Sequence, residues 1–112
     1  MTGRERVESH MRKLDERAEA GDIAADYSDG AIVEMSGAER KGREEIAAMF
    51  GGILETLGDA KFSDVDTTEN DDGSVEITWK LGPMSGGYKF WMDSEGMIER
   101  QRVWMGVEPT DW

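Results

Sequence analysis

The first 57 residues carry apolar side chains at helical spacing. Between residues 4 and 20 these side chains recur every three or four positions, at Val7, Met11, Leu14 and Ala18. This pattern predicts an amphipathic helix over 4–20 that ends at Gly21. A second, very short helix is predicted from Asp22, which is a favourable N-cap residue, to about Tyr27.

The strongest helical pattern follows Gly42 and predicts a helix over 43–57. Its apolar stripe consists of Ile46, Met49, Phe50, Ile53, Leu54 and Leu57. Gly51 and Gly52 interrupt the pattern, and each costs about 1 kcal/mol relative to alanine inside a helix. Either they leave room for a neighbouring backbone or a ligand, or they are simply tolerated.

Apolar and polar residues alternate in the second half of the chain, which is the pattern of half-buried strands. Strands are predicted at 31–35, 61–68, 74–81, 88–93 and 97–107. Turn-forming residues between them predict turns at 28–30, 69–73, 82–87 and 94–96, with a tail at 108–112. Helices followed by strands indicate one α+β domain over 1–112, in which a curved antiparallel sheet wraps around the N-terminal helices. Such a sheet would enclose a cone with an apolar interior.

Composition narrows the range of partners. The net charge is −12, from 25 acidic and 13 basic side chains, and we expect this surface to repel nucleic acid. The apolar runs are too short for a membrane span, and the N-terminus lacks the apolar segment of a signal peptide. The absence of cysteine excludes disulfides and suits a cytoplasmic protein, which is where we expect this one. The acidity serves solubility or, alternatively, a high-salt cytoplasm.

Three segments, "AGDIAADYSDGAIVEMSG", "KGREEIAAMF" and "SEGMIERQRVWM", carry a resemblance to a known group of proteins. Their order and spacing resemble the nuclear transport factor 2-like superfamily, and within it the SnoaL-like and ketosteroid isomerase-like proteins. In that family GD ends the first helix, Y-x-D-x-A-x-V leads into the first strand, G-R-E-x-I opens the third helix and D-x-x-G-x-I opens the last strand. The resemblance covers nearly the whole chain and implies a cystatin-like cone, a fold that hosts several unrelated activities.

The resemblance also implies where isomerase-like relatives keep their catalytic groups, and most of these groups are missing. The aspartate that shuttles the proton corresponds to Met35, which has no titratable group. The tyrosine that polarises the substrate carbonyl corresponds to about Lys13, and the second donor corresponds to about Tyr88. Tyr88 is therefore the best catalytic candidate. Without a base at the substrate's α-carbon we do not expect ketosteroid isomerase activity.

The resemblance places a ligand pocket between the concave face of the sheet and the helices. Alternation along the strands and the stripe of the long helix select a lining that is mostly aromatic and thioether. The predicted lining consists of Tyr27, Met35, Met49, Phe50, Ile53, Trp79, Tyr88, Phe90, Gln101, Val103 and Met105. Such a wall suits a flat or flexible apolar ligand held by a few hydrogen bonds. The alternative is that these side chains fill the cone as packed core.

The opposite face of the sheet is the predicted dimer face. It carries Trp91, Arg100, Arg102 and Trp104. Tryptophan and arginine are enriched in buried interfaces, and the resemblance implies a homodimer because relatives often dimerise through this face. An anion site at the two arginines, or their pairing with acids such as Glu76 and Glu99, is the alternative.

Two further titratable residues are expected to have minor roles. His10 is the single histidine, and we expect it at the surface or at the border of the first helix's apolar stripe. Asp26 is expected to face solvent or to cap the following turn. The acidic run at 64–73 does not match a calcium-binding loop, and no histidine or cysteine pair suggests zinc. We expect no metal and no cofactor.

Three functions remain open from these observations. The first is an enzyme of the SnoaL-like kind, a lyase, isomerase, cyclase or hydrolase that acts on an apolar substrate, with Tyr88 as donor or acid assisted by Tyr27 and Gln101. The second is a non-catalytic protein that binds a similar molecule in the same pocket. The third is a homodimeric interaction module with a packed cone. An ionisable group in the pocket would separate the first two, and the third requires that there is no cavity.

Overall fold

Three helices and six strands make up the fold, as seen in a computed structural model that describes residues 2–35 and 37–106. The helices are α1 (Gly3–Asp15), α2 (Ala20–Ala24) and α3 (Arg43–Leu57). The strands are β1 (Tyr27–Met35), β2 (Ala38–Lys41), β3 (Phe62–Glu69), β4 (Val75–Leu81), β5 (Met84–Met92) and β6 (Ile98–Met105). The predicted α+β class is confirmed. None of the helices in the described ranges is long and apolar enough to cross a membrane.

The strands form one open sheet in the order β2-β1-β6-β5-β4-β3. Strands β3 to β6 form the predicted antiparallel meander. The predicted antiparallel sheet has one parallel pairing, between β1 and β6. The chain passes through β2, α3 and the meander before β6 returns to lie beside β1, so the two strands run in the same direction.

The first helix is shorter than predicted because Arg17 ends it. Arg17 has a φ of 57°, which is incompatible with a continuing right-handed helix. Its guanidinium donates to the carbonyl of Leu14 at 2.6 Å and to that of Gly58 at 3.0 Å, which ties the end of α1 to the loop after α3. Gly21 does not stop a helix; it lies inside α2.

Two strands extend into segments whose composition predicts turns. The predicted turn at 28–30 lies inside β1, where the register against β6 shifts between Tyr27 and Ile32. The polar residues thus form an irregularity within the strand. In the segment 82–87, β5 begins at Met84, so the turn is shorter than predicted. The sequence does not predict strand β2, because all four of its residues are exposed and carry no apolar alternation.

The core lies between the helices and one face of the sheet. Along β4, the side chains of Val75, Ile77, Trp79 and Leu81 are buried in alternation, as predicted. The helices contribute Val7, Leu14, Ile46 and Phe50 among others. We call the sheet face that carries Trp79 the inner face and the opposite one the outer face.

Candidate functional site

An apolar cavity of about 390 Å³ lies between α3 and the inner face of the sheet. It is lined by Leu14, Met35, Met49, Phe50, Gly52, Ile53, Thr56, Leu57, Phe62, Trp79, Leu81, Met84, Tyr88, Gln101, Val103 and Met105. Met84 and Met105 are about half exposed, at 46% and 51%. Gly52 lines this space, and no atom lies within 4 Å of where its Cβ would be. Gly52 therefore leaves open volume instead of admitting another backbone.

The structure brings most of the predicted lining residues together around this cavity. Tyr27 and Phe90 are the exceptions: both are completely buried and do not line it. Met35, the predicted counterpart of the isomerase base, is part of the wall. Among the described lining residues, Tyr88 is the single titratable one.

Two aromatic residues supply polar hydrogens at this wall. Trp79 and Tyr88 lie in contact, with ring centroids 5.5 Å apart. The indole N–H of Trp79 is buried and has no hydrogen-bond partner among the described residues. Burial raises the pKa of the Tyr88 phenol above its ordinary value, so the phenol stays protonated at neutral pH. The Trp79 N–H and the Tyr88 hydroxyl can therefore each donate a hydrogen bond to an acceptor atom of a ligand in the cavity.

A chain of buried polar side chains runs from α1 to the cavity wall. His10 Nδ1 lies 3.0 Å from the Asp26 carboxylate, and His10 Nε2 lies 3.3 Å from the Tyr27 hydroxyl. The Tyr27 hydroxyl donates to Oε1 of Gln101, which lines the cavity. All four residues are at most 2% exposed. The polar atoms of this chain reach the cavity only through Gln101.

The expected surface or boundary positions of His10 and Asp26 are wrong. His10 is three residues after Val7 and four before Leu14, so it lies on the apolar face of α1. Its ring meets the rings of Phe50 and Phe90 edge-on, at centroid distances of 5.6 and 5.7 Å. That helical spacing is the signal in the sequence that could have revealed its burial.

Asp26 is buried because three basic side chains converge on it. Arg6 Nη1 lies 3.3 Å and Lys13 Nζ 3.0 Å from Oδ1, while His10 faces Oδ2. Burial by itself would raise the pKa of Asp26, but the hydrogen bonds and charges of His10 and Lys13 outweigh it and lower the pKa. Lys13, the approximate predicted counterpart of the isomerase tyrosine, is therefore engaged with Asp26 and does not line the cavity.

The predicted dimer residues lie on the outer face and make contacts within the chain. Arg100 and Arg102 both bind Glu34, at 2.6 and 3.1 Å. Arg100 also lies over the ring of Trp91, 5.1 Å from its centroid. The two arginines thus pair with a neighbouring acid, although with Glu34 and not with Glu76 or Glu99.

The acidic side chains do not gather into a metal site. Within the described ranges, no group of three or more histidine, aspartate or glutamate residues could hold a metal ion. The acids of the run at 64–73 lie along β3 and the following turn, where Asp72 accepts hydrogen bonds from Ser74. These bonds lower the pKa of Asp72.

Comparison with known proteins identifies the fold but not the reaction. No protein-family model matches the sequence, and a search of curated proteins found no match. Among solved structures, the chain is similar to SalBIII, an epoxide hydrolase/cyclase-like enzyme with a role in pyran ring formation in the polyether salinomycin. The two sequences are 21% identical, and the TM-score is 0.81 over 94% of this chain and 91% of that one. A SnoaL-like protein of unknown function from Burkholderia thailandensis has 16% identity and a TM-score of 0.76, over 87% and 88% of the two chains.

An NTF2-like protein of unknown function from Cytophaga hutchinsonii matches with 14% identity and a TM-score of 0.69, over 95% of this chain and 91% of that one. The matches span nearly the full length of each structure at low identity, which is evidence for a shared fold. The resemblance seen in the sequence is therefore confirmed in the fold: the chain has the fold of the nuclear transport factor 2-like superfamily and is similar to its SnoaL-like members.

Proposed function

We propose that the protein binds an apolar small molecule in the cavity between α3 and the inner face. The observation that carries this proposal is the cavity itself, whose volume of about 390 Å³ falls within the range of ligand sites. Its lining is almost entirely aliphatic, aromatic or thioether. An interaction module with a packed cone would leave no such space, so the cavity favours ligand binding. The cysteine-free composition supports a cytoplasmic location for this function.

We further propose that any chemistry in this cavity depends on hydrogen-bond donation and not on a carboxylate base. Met35 supports this because it lies in the cavity wall and the resemblance implies that isomerase-like relatives have their aspartate at this position. Tyr88 is the proposed donor or acid, since burial keeps its phenol protonated. The fold similarity to an epoxide hydrolase/cyclase-like enzyme supports a lyase, isomerase or cyclase as the reaction class. A non-catalytic binder is the alternative.

Filling the cavity tests the binding proposal. Met49 lines the cavity, whereas Ala48, its neighbour on α3, is exposed and does not. We expect Met49→Trp to weaken binding of the neutral probe 2-ethylnaphthalene by at least about tenfold, because the indole occupies the volume that the probe needs. Titration followed by ¹H–¹⁵N NMR measures the affinity.

Ala48→Trp is the matched control, because it adds the same indole to the same helix on the exposed side. We expect the wild-type affinity in this variant. A Met49→Trp variant that binds the probe as well as Ala48→Trp does would contradict the proposed function.

We also propose that two copies associate through the outer face. Trp91 and Trp104 are only partly buried within the chain, which supports this proposal. We expect Trp104→Glu to yield monomers in sedimentation analysis where the wild type gives dimers, because a carboxylate would be buried at the interface. Thr67→Glu, on β3 and away from this face, serves as the control. A dimer that persists in Trp104→Glu would refute the proposed face.

A further inference from the structure

The polar atoms around the cavity can be sorted by whether they offer a hydrogen or a lone pair. The Trp79 indole is a donor only, and the protonated Tyr88 phenol carries one hydrogen to donate. Gln101 is the remaining buried polar group of the wall, and its amide has both a donor and an acceptor end. The orientation of that amide therefore decides the polar character of the site.

Tyr27 sets the orientation of the Gln101 amide from behind the wall. The Tyr27 hydroxyl donates to Gln101 Oε1. A carboxamide is planar, so an oxygen held on the Tyr27 side turns the NH2 group away from Tyr27. The NH2 group then adds a third donor beside the indole and the phenol.

The hydrogen-bond roles of His10 are linked to the same geometry. A tyrosine hydroxyl has one hydrogen, and that of Tyr27 goes to Gln101, so the 3.3 Å contact with His10 Nε2 is a hydrogen bond only if Nε2 carries a proton. Nδ1 must also carry a proton, because it faces the Asp26 carboxylate at 3.0 Å, and a carboxylate can only accept. A Tyr27–Gln101 hydrogen bond in this direction therefore goes together with His10 donating from both ring nitrogens, to Asp26 and to Tyr27.

The charges around His10 are consistent with this state. The facing anion is Asp26, and its other oxygen binds Arg6 and Lys13. Their side chains are 19% and 32% exposed, so water shares their charge, whereas those of His10 and Asp26 are at most 2% exposed. The ring also meets the neutral rings of Tyr27, Phe50 and Phe90. His10 is therefore the fully buried partner of the Asp26 carboxylate.

We propose that the cavity selects an apolar ligand with a carbonyl-type acceptor oxygen placed at Gln101. In this proposal Gln101 is a specificity-determining residue, and Asp26, His10 and Tyr27 are positioning residues that hold its NH2 group toward the ligand. The inference rests on the proposed binding function. It adds the chemical class of the ligand and the residues that determine it.

A pair of probes of nearly equal size tests the selection. 2-Acetylnaphthalene has a carbonyl where 2-ethylnaphthalene has a methylene. We expect Gln101→Leu to weaken binding of the acetyl probe by about tenfold and to leave the ethyl probe within about twofold, because one hydrogen bond is lost and little apolar contact changes. Tyr27→Phe should act in the same direction, and Thr78→Val, on β4 outside the cavity, should change neither affinity.

NMR of the single histidine tests the positioning chain in the unmodified protein. Because His10 is the one histidine in the sequence, its ring nitrogens give one set of signals in a long-range ¹H–¹⁵N spectrum. We expect protons on both nitrogens at neutral pH. A ring protonated at Nδ1 alone would overturn the chain, since Tyr27 would then donate to His10 and Gln101 would turn its oxygen toward the ligand.

The outcomes separate this inference from the function on which it rests. If both probes bind but Gln101→Leu weakens both equally, the selection is wrong while the binding function stands. If neither probe binds the wild type, or if Met49→Trp leaves both affinities unchanged, both proposals fail. Selective loss of the acetyl probe together with a doubly protonated His10 supports the inference.

Discussion

Replacing Asp26 by alanine is expected to lower the free energy of unfolding by about 3–5 kcal/mol, the cost of removing one partner from a buried ion pair. The substitution leaves His10, which is fully buried, without its facing carboxylate. It also removes the partner of Arg6 and Lys13 on the other carboxylate oxygen. Chemical denaturation measures the difference.

Asp29→Ala is the matched control for this prediction. Asp29 also pairs with an arginine, Arg43, at 2.8 Å, but its side chain is 93% exposed. Exposed ion pairs contribute about 0–1 kcal/mol, so we expect a small change in stability. An Asp26→Ala variant as stable as Asp29→Ala would contradict a structural role for the buried cluster.

The contribution of the Asp26 carboxylate to the free energy of unfolding depends on pH. The folded pKa of Asp26 is lowered, so its contribution to stability is fully present above the unfolded pKa of about 3.9. It is lost as the pH falls through the folded pKa. The gap in unfolding free energy between wild type and Asp26→Ala should therefore shrink progressively below about pH 4. A gap that grows on acidification would contradict the lowered pKa.

The elements that the sequence predicts well are those determined by local patterns. Helix α3 begins and ends where its apolar stripe and flanking Gly42 and Gly58 place it. Strand β4 shows the alternation that its residues predict. In both elements the side chains that determine the structure lie within one periodic segment. The element can therefore be predicted without knowing which distant residues it contacts.

The features that the sequence does not predict depend on contacts between distant segments. The parallel pairing of β1 with β6 joins residues more than sixty positions apart, and no local pattern encodes it. The polar partners of the buried His10 are Asp26 and Tyr27, which lie 16 and 17 positions along the chain. Taken singly, the histidine is explained by a position at the surface or at the border of the helix, and the aspartate by exposure to solvent or a capping role. Only the approach of α1 to the start of β1 turns them into one buried pair.

The same limit applies to the candidate site. The apolar wall follows from alternation and from the family resemblance, because those select a face of each element. The polar chain behind it does not, because it crosses from α1 to β6 through Tyr27. The sequence predicts Tyr27 in the wall itself. Its hydroxyl instead links the buried ion pair to Gln101, so Tyr27 contributes to the site without lining it.

Substitution of Gly86 is expected to show how closely the cavity wall depends on the backbone of the sheet. Gly86 is paired with Trp79 across β4 and β5 and with Met105 across β5 and β6. A Cβ at this position would lie 2.6 Å from the Trp104 carbonyl oxygen and 2.6 Å from Cζ2 of Trp79. The absence of a side chain at Gly86 is therefore what allows the Trp79 ring to lie across the strand and form part of the wall.

We expect Gly86→Ala to cost about 2–3 kcal/mol of unfolding free energy, at the upper end of overpacking effects, because one of the two clashes is with backbone. Gly51→Ala is the control: no atom lies within 4 Å of the place that a Cβ would take on Gly51 in α3, and alanine there should stabilise by about 1 kcal/mol. The φ of Gly86 is not positive, so the cost expected at this position comes from steric overlap and not from backbone conformation. If the two variants are equally stable, the Trp79 ring can move to another position, and the cavity wall does not depend on Gly86.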